Sequence, residues 1–143
     1  MALSRSMMKY LIHLLKPGTV AAMGYPDILS PPAELEAVLG EKFPALAYRD
    51  DSEAIARWHG TIGQLAPDAY SFFSLLGCEL TVFDVACHRG GEVVRDLNHP
   101  LPAADLTRYD YVVDVGTMEH CFNIGQAALN MAIASYEAAQ THD

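Results

Sequence analysis

The sequence predicts an α/β domain in three layers, with helices packed on a mainly parallel sheet of about four or five strands. Short apolar runs of strand length alternate along the chain with helical segments, and parallel strands need such crossover helices between them. The chain has 143 residues, of which 51% are hydrophobic and 19% charged, so it can bury a core and is not disordered. We therefore predict a single domain over residues 1–143.

The first half of the chain predicts one buried strand among helices. Apolar residues at helical spacing indicate a helix over Ala2–Leu15, which Pro17 and Gly18 end. Thr19–Met23 is a continuous apolar run, typical of a strand buried on both faces. A helical insertion should follow over about residues 30–77, with Ser30 as the N-cap of its first helix. The expected helices are Ser30–Leu39, Ser52–Leu65 and Pro67–Leu76, and their expected core residues are Trp58, Phe72 and Phe73.

The second half predicts three strands and a closing helix. Glu79–Val85 and Tyr109–Val115 are rich in the β-branched and aromatic residues that favour strands, and Glu92–Asp96 is a weaker strand between them. Ile124–Ala139 is Ala-rich and has apolar residues at helical spacing. Together with the strand of the first half, the sequence supplies four strands.

The charge balance argues against one class of partner. Lys and Arg number 9 against 18 Asp and Glu, a formal net charge of −9. Such a surface repels phosphates, so we do not expect a nucleic-acid partner. The exception is the start of the chain, where Arg5, Lys9 and Lys16 occur without an acid and leave room for a small basic patch.

The cysteines and the apolar start of the chain predict a cytoplasmic protein. Cys78, Cys87 and Cys121 show no CxxC spacing, which fits free thiols in a reducing compartment. The apolar run Met7–Leu15 is interrupted by Lys9 and is too short to span a membrane. We therefore expect no membrane segment.

A glycine or an acidic residue follows each predicted strand. Gly24 follows the first strand, Asp84 closes the second, and Asp96 and Asp114 follow the third and fourth. The carboxyl ends of parallel strands share one edge of a sheet, where α/β proteins bind ligands. Carboxylates after the second and third strands would suit the ribose hydroxyls and the exocyclic amine of an adenosine group. The other interpretation is structural, because Asp and Gly also turn and cap the chain where strands end.

Two segments resemble class I S-adenosylmethionine-dependent methyltransferases. One is D-L-N-x-P-L-P, from Asp96 to Pro102, and the other is D-x-G-T-x-E-H-x-x-N, from Asp114 to Asn123. With Asp84, the resemblance covers about Leu80 to Ala132, over a third of the chain. It implies a Rossmann-like fold, S-adenosylmethionine as the cofactor, and methyl transfer to a small molecule or another substrate that the sequence does not identify.

The resemblance implies a set of cofactor-binding residues at the carboxyl ends of the strands. The residues after the second strand would hold the ribose, those after the third would line the adenine, and the turn after the fourth would lie beneath the methionine. Gly24 and Tyr25 would stand where the family has its glycine-rich loop. The full set is Gly24, Tyr25, Asp84, Val85, Asp96, Leu97, Asp114, Gly116 and Thr117.

Glu119 and His120 are the catalytic pair that the resemblance implies on the substrate side. One of them could remove a proton from the substrate while the enzyme aligns the sulfonium methyl with the nucleophile. The other interpretation is that both cap the next helix or face the solvent. As neighbours in sequence, their side chains are expected to point apart on a regular element.

The sequence departs from the family in its glycine-rich loop and in its number of strands. It has only Gly24, soon followed by Pro26, where the family has E-x-G-x-G-x-G. Gly24 and Asp84 are 60 positions apart (84 − 24), against about 20 in the usual unit, which the helical insertion would explain. Four strands instead of the family's usual seven indicate a shortened fold. The alternative function is therefore an inactive methyltransferase-like module that forms a homodimer or binds a partner protein through an open sheet edge.

Other chemistries have less support. The pairs Cys87–His88 and His120–Cys121 lack the ligand spacing of zinc sites, so we predict no metal. The sequence contains no G-x-G-x-x-G motif, which argues against a nicotinamide-dependent oxidoreductase, and no G-x-S-x-G motif, which argues against a serine nucleophile.

Overall fold

A computed structural model of the chain divides it into two compact units. It describes residues 2–3, 5–61, 63–106 and 109–136. The sheet unit combines Gly18–Tyr25 with the residues from Glu79 onward, and the helical unit combines Ala2–Pro17 with Pro26–Cys78. The single domain boundary at residues 1–143 stays a prediction.

The described residues form six strands and six α-helices. Two 3-10 helices span Gly40–Ala45 and Met118–His120. In chain order the other elements are β1 (Ala2–Leu3), α1 (Arg5–Leu14), β2 (Gly18–Met23), β3 (Asp27–Ile28), α2 (Pro32–Leu39), α3 (Ser52–His59), α4 (Ala69–Leu75), β4 (Cys78–Asp84), β5 (Val93–Val94), α5 (Ala103–Leu106), β6 (Tyr111–Asp114) and α6 (Ile124–Tyr136).

The sheet unit contains a four-stranded, all-parallel sheet in the order β5-β4-β2-β6. Counted along the chain, its strands therefore lie in the order third, second, first, fourth. The order reverses between β2 and β6, which pair in register from Val20 opposite Tyr111 to Met23 opposite Asp114. The α/β prediction is thus confirmed, and the layout is consistent with a Rossmann-like fold.

The sheet forms where the sequence has its longest apolar runs. The last four residues of β2, from Val20 to Met23, are fully buried, as expected for a strand covered on both faces. Phe83 of β4 and Tyr109 meet edge to face, with ring centroids 6.0 Å apart. The core of this unit consists of Ala21, Met23, Phe83, Leu97, Leu101, Tyr109, Ala127 and Ala134.

The start of the chain differs from its prediction. Ala2 and Leu3 are not helical but form β1, which pairs in parallel with β3. Leu3 is fully buried, because a strand residue that pairs with a neighbouring strand can face a core directly. β3 itself follows Pro26, in a segment for which the sequence predicted no strand. In the described part of the chain, no helix is long and apolar enough to cross a membrane.

The helices of the helical unit are confirmed, but their ends and one core residue differ from prediction. The N-cap of α2 is Pro31, without a side-chain hydrogen bond, so the prediction of Ser30 as the cap is wrong. Helix α3 ends at His59 because Gly60 adopts a left-handed conformation, with φ of 71°, and terminates it before Leu65. Phe72 and Phe73 are buried as predicted, whereas Trp58 is 84% exposed and does not belong to the core.

The later elements are shorter than predicted. The strand predicted over Glu92–Asp96 is reduced to the two residues of β5, and β6 covers only the middle of Tyr109–Val115. The short helix α5 was not predicted. Helix α6 is confirmed as far as Tyr136, and its predicted continuation over 137–139 lies outside the described residues.

Candidate functional site

The loop after β2 is held by main-chain hydrogen bonds to the end of β4. Gly24 has a φ of 79°, a conformation that glycine adopts without strain. Its N–H donates to the Phe83 carbonyl at 2.7 Å, and the N–H of Tyr25 donates to Asp84 Oδ2 at 3.2 Å. Tyr25 is 4% exposed, and Gly24 is buried as well. The N–H groups of both residues bind other parts of the protein, and neither residue is exposed to a ligand.

Asp84 lies at the end of β4, and its carboxylate can accept further hydrogen bonds. Its Oδ2 accepts from Tyr25 N–H, and its Oδ1 accepts from Val85 N–H at 2.8 Å. An ionised carboxylate has about four acceptor positions, so two remain for other donors. The carboxylate is partly exposed, and Val85 beside it is 64% exposed. A diol such as a ribose could use the remaining positions.

Asp96 follows β5 and keeps one oxygen for a ligand. Its Oδ1 accepts from the backbone N–H of Asn98 at 2.9 Å and from the Asn98 side-chain amide at 2.7 Å. Its Oδ2 accepts no hydrogen bond from the described residues, and lies 3.7 Å from Nε2 of His99. The bonds from Asn98, followed by the charge of His99, lower the pKa of Asp96 below its usual value. The carboxylate is therefore charged at neutral pH. Leu97 next to it is buried.

Asp114 organises the turn after β6. Its Oδ1 accepts from the N–H groups of Gly116 and Thr117, at 3.0 and 2.7 Å, and its Oδ2 accepts from Met118 N–H at 3.1 Å. Gly116 has a φ of 104°, which favours glycine. The Thr117 hydroxyl donates to the Met23 carbonyl and so links the ends of β2 and β6. Asp114 therefore shapes the turn at the point where the strand order reverses.

Glu119 and His120 lie on the 3-10 helix that follows this turn. Nε2 of His120 is 3.7 Å from Oε1 of Glu119, and the two side chains are 74% and 71% exposed. Consecutive residues of a 3-10 helix start about 120° apart, but both side chains are exposed and bend toward each other. A substrate could reach both.

The cysteine next to this pair is not a nucleophile. Burial, followed by the charges of Asp114 and Asp96, raises the pKa of the Cys121 thiol. The thiol is therefore protonated at neutral pH, and a thiolate is the reactive form. Cys121 is a packing residue at the edge of the core.

Three asparagines connect the loops of this edge, and sequence reasoning gave none of them a role. Asn98 Oδ1 accepts from the N–H of Asn123 at 2.7 Å. Asn130 of α6 is 1% exposed, donates to the carbonyls of Leu97 and His99 and accepts from Leu101 N–H. The available signal was an asparagine among the apolar residues in the middle of α6, since a buried amide needs hydrogen-bond partners.

The helical unit has a buried contact between an acidic side chain and a histidine ring that the sequence did not reveal. Oδ2 of Asp27 lies 3.1 Å from Nε2 of His59, and the two side chains are 1% and 15% exposed. Asp27 and His59 join β3 to α3 and stabilise this unit.

Among the described residues, no group of three or more His, Cys, Asp or Glu side chains is arranged to hold a metal ion.

Comparisons of the chain with protein-family models, with curated proteins and with solved structures found no match.

Proposed function

We propose that this chain is a methyltransferase-like protein that binds S-adenosylmethionine at the carboxyl edge of its sheet. The observation that carries the proposal is the strand order, third, second, first, fourth, with carboxylates at the ends of its strands. In parallel sheets of this kind, ligands bind where the strand order reverses. Here this point lies between β2 and β6, and Asp84 and Asp96 follow the neighbouring strands on one side of it.

The residues at this edge fit the chemical groups of the cofactor. Asp84 has two acceptor positions for the ribose hydroxyls, and Oδ2 of Asp96 can accept from the exocyclic amine of adenine. The turn of Asp114, Gly116 and Thr117 would line the methionine moiety. S-adenosylmethionine is a net cation, with a sulfonium and an ammonium against one carboxylate, and the acidic edge attracts it.

The bound cofactor would supply an electrophilic methyl group for direct transfer to a substrate nucleophile. Glu119 and His120 are exposed and close enough to act on a substrate proton together. A neutral imidazole can take the proton, and the neighbouring carboxylate stabilises the charged ring that results. The remaining rate enhancement would come from holding nucleophile and methyl group in line.

Titration calorimetry with S-adenosylhomocysteine tests the cofactor site. We expect Asp84→Ala to weaken binding roughly tenfold to a hundredfold, because hydrogen bonds to a charged acceptor contribute about 1.5–3 kcal/mol. Glu79→Ala is the matched control, since Glu79 is an exposed acid near the start of the same strand. Thermal melting shows whether each variant is folded. If wild-type protein does not bind at about 1 mM ligand, the cofactor proposal is wrong.

A second candidate function, homodimer formation, is favoured by the surface of α6. This helix of 13 residues, IGQAALNMAIASY, contains no charged side chain. Leu129 and Ile133, four residues apart on one side of the helix, are 50% and 37% exposed. Ile124 and the preceding Phe122, at the start of the helix, are exposed as well. In a chain of net charge −9, an uncharged apolar face is where two copies can meet with least repulsion. The partner we propose is therefore a second copy of the chain.

A further inference from the structure

The side chain of Asn98 bridges two loops of the candidate site. Its Nδ2 donates to Asp96 Oδ1 at 2.7 Å, and its Oδ1 accepts from the backbone N–H of Asn123 at 2.7 Å. One loop carries Asp96, and the other follows the 3-10 helix of Glu119 and His120. The amide has one orientation only, because exchanging its oxygen and nitrogen would leave like groups facing each other at both ends.

The bridge restricts the Asp96 carboxylate, which would otherwise rotate. The Asp96 side chain is 48% exposed, so packing alone does not hold it. Both hydrogen bonds from Asn98 go to Oδ1, and this directs Oδ2 away from Asn98. A group that is ordered before binding loses less conformational entropy when it binds a ligand.

We propose that Asn98 is a positioning residue that makes the cofactor site select a purine carrying an exocyclic amine. The inference rests on the proposed function. An ionised carboxylate only accepts hydrogen bonds, so Oδ2 in a fixed position attracts the amine of adenine and repels the keto oxygen of hypoxanthine. The lowered pKa of Asp96 keeps the carboxylate ionised at neutral pH.

The test compares two ligands whose bases differ in the exocyclic group and in the adjacent ring nitrogen, which carries a hydrogen only in hypoxanthine. Calorimetry measures the binding of S-adenosylhomocysteine and of its inosine counterpart to wild type and to Asn98→Ala. We expect wild type to prefer the adenosine form by about tenfold or more, because a site that pairs with one polar group rejects an analogue that leaves the site unpaired. In Asn98→Ala the preference should fall to within about threefold, since Asp96 keeps only the bond from the backbone N–H of residue 98 and can rotate more freely.

Asn123→Ala is the matched control, because it is the same substitution on the other side of the bridge. Asn123 reaches Asn98 Oδ1 through its backbone N–H, which the substitution keeps. The variant does lose the bond from Gln126 N–H to Asn123 Oδ1 at 3.2 Å, at the start of α6, and a long bond of 3.5 Å from Asn123 Nδ2 to the Asn98 carbonyl. We expect it to melt at a lower temperature and still to prefer the adenosine form.

A second measurement does not depend on the cofactor. Carbon NMR of labelled aspartate follows the ionisation of Asp96, whose pKa should rise in Asn98→Ala and stay unchanged in Asn123→Ala. If the pKa does not rise, or the base preference survives Asn98→Ala, the role of Asn98 is wrong. Equal loss of preference in both variants would also overturn it, in favour of a general structural effect. If wild type binds neither ligand, the proposed cofactor function is wrong, and so is the proposed selection of the base.

Discussion

At the scale of single residues, Glu92 organises the loop between β4 and β5. The residue is 7% exposed, and its carboxylate accepts from Arg89 N–H at 2.6 Å and from the Cys87 thiol at 3.2 Å. Burial acts to raise the pKa of Glu92, but these bonds and those from two further backbone N–H groups outweigh it. The pKa of Glu92 is therefore below its usual value of 4.5, and ionised Glu92 stabilises the fold.

Replacing Glu92 with Gln should destabilise the protein in a pH-dependent way. Because the pKa is lower in the folded than in the unfolded chain, the stabilisation is complete above the unfolded value and is lost as the pH falls through the folded one. We expect a loss of about 1 kcal/mol near neutral pH that shrinks below about pH 4. Urea unfolding at several pH values measures it, with exposed Glu79→Gln as the control. A loss that is constant with pH would contradict this account.

The roles of single residues were only partly predictable from the sequence. Asp84 and Asp114 could be placed at strand ends because strands and turns have local signatures. Sequence did not show that the Asp114 carboxylate is occupied by three backbone N–H groups whereas Asp96 keeps Oδ2 available. That difference depends on the path of the following loop. Side-chain hydrogen bonds such as the one from Asn98 to Asp96 determine this path.

At the scale of elements, α6 fixes the loop after β5 through Asn130. The buried amide binds backbone groups of Leu97, His99 and Leu101, and its Oδ1 also accepts from Gln126 at 3.0 Å. These bonds replace the regular pairing that the loop lacks, and a buried backbone polar group requires such a partner. The D-L-N-x-P-L-P segment is thus shaped by the helix that follows the next strand.

Asn130→Leu should be among the most destabilising single substitutions in the sheet unit. Leucine has the same number of heavy atoms and the same branching but leaves the Leu101 N–H and the Leu97 and His99 carbonyls without this partner. Each unsatisfied buried group costs about 1–3 kcal/mol, so we expect a loss of roughly 3 kcal/mol or more. Chemical denaturation measures the free energy of unfolding. Gln126→Ala, which removes one partly buried bond to Asn130, should cost about 1 kcal/mol or less, and an equal effect of both would refute the role of Asn130.

Helices and strands were predictable where their own residues determine the structure, but not where pairing with another strand determines it. β2 is a continuous apolar run, β4 contains β-branched and aromatic residues, and α2 ends at Leu39 as predicted. The prediction for α3 followed the apolar spacing as far as Leu65, whereas the helix ends before Gly60. β1 could not be predicted, since its two residues become a strand only by pairing with β3.

At the scale of the whole molecule, charge and apolar surface together underlie the homodimer that we propose. The net charge of −9 opposes contact between copies everywhere except at neutral surfaces such as the exposed face of α6. β6 is also the last strand of its sheet in the described part of the chain, and a sheet edge can pair with another chain. Both features lie in the sheet unit and favour the same partner.

Leu129→Glu should abolish dimer formation. The substitution places a charge at the centre of the apolar face of α6, where Leu129 is 50% exposed, so the folded chain should tolerate it. Sedimentation velocity should show a wild-type dimer that strengthens as salt screens the acidic surface, by about tenfold in dissociation constant between low and physiological salt. Ser135→Glu, near the exposed end of α6, is a control for added charge alone and should weaken the dimer less. A wild-type monomer under all these conditions would exclude the dimer.

The sequence by itself determined the α/β class, the positions of β2, β4, β6 and α6, and the acids at the strand ends. These features depend on the local hydrophobic pattern and on residues that turn the chain. Only the tertiary structure decided the strand order, which brings Asp84 and Asp96 to one side of the point where that order reverses. It also decided the hydrogen bonds by which Asn98 joins two loops and Asn130 holds the loop after β5. The physical reason is that pairing order and side-chain hydrogen bonds join residues far apart in sequence, 29 positions for Leu101 and Asn130, and no local pattern encodes such partners.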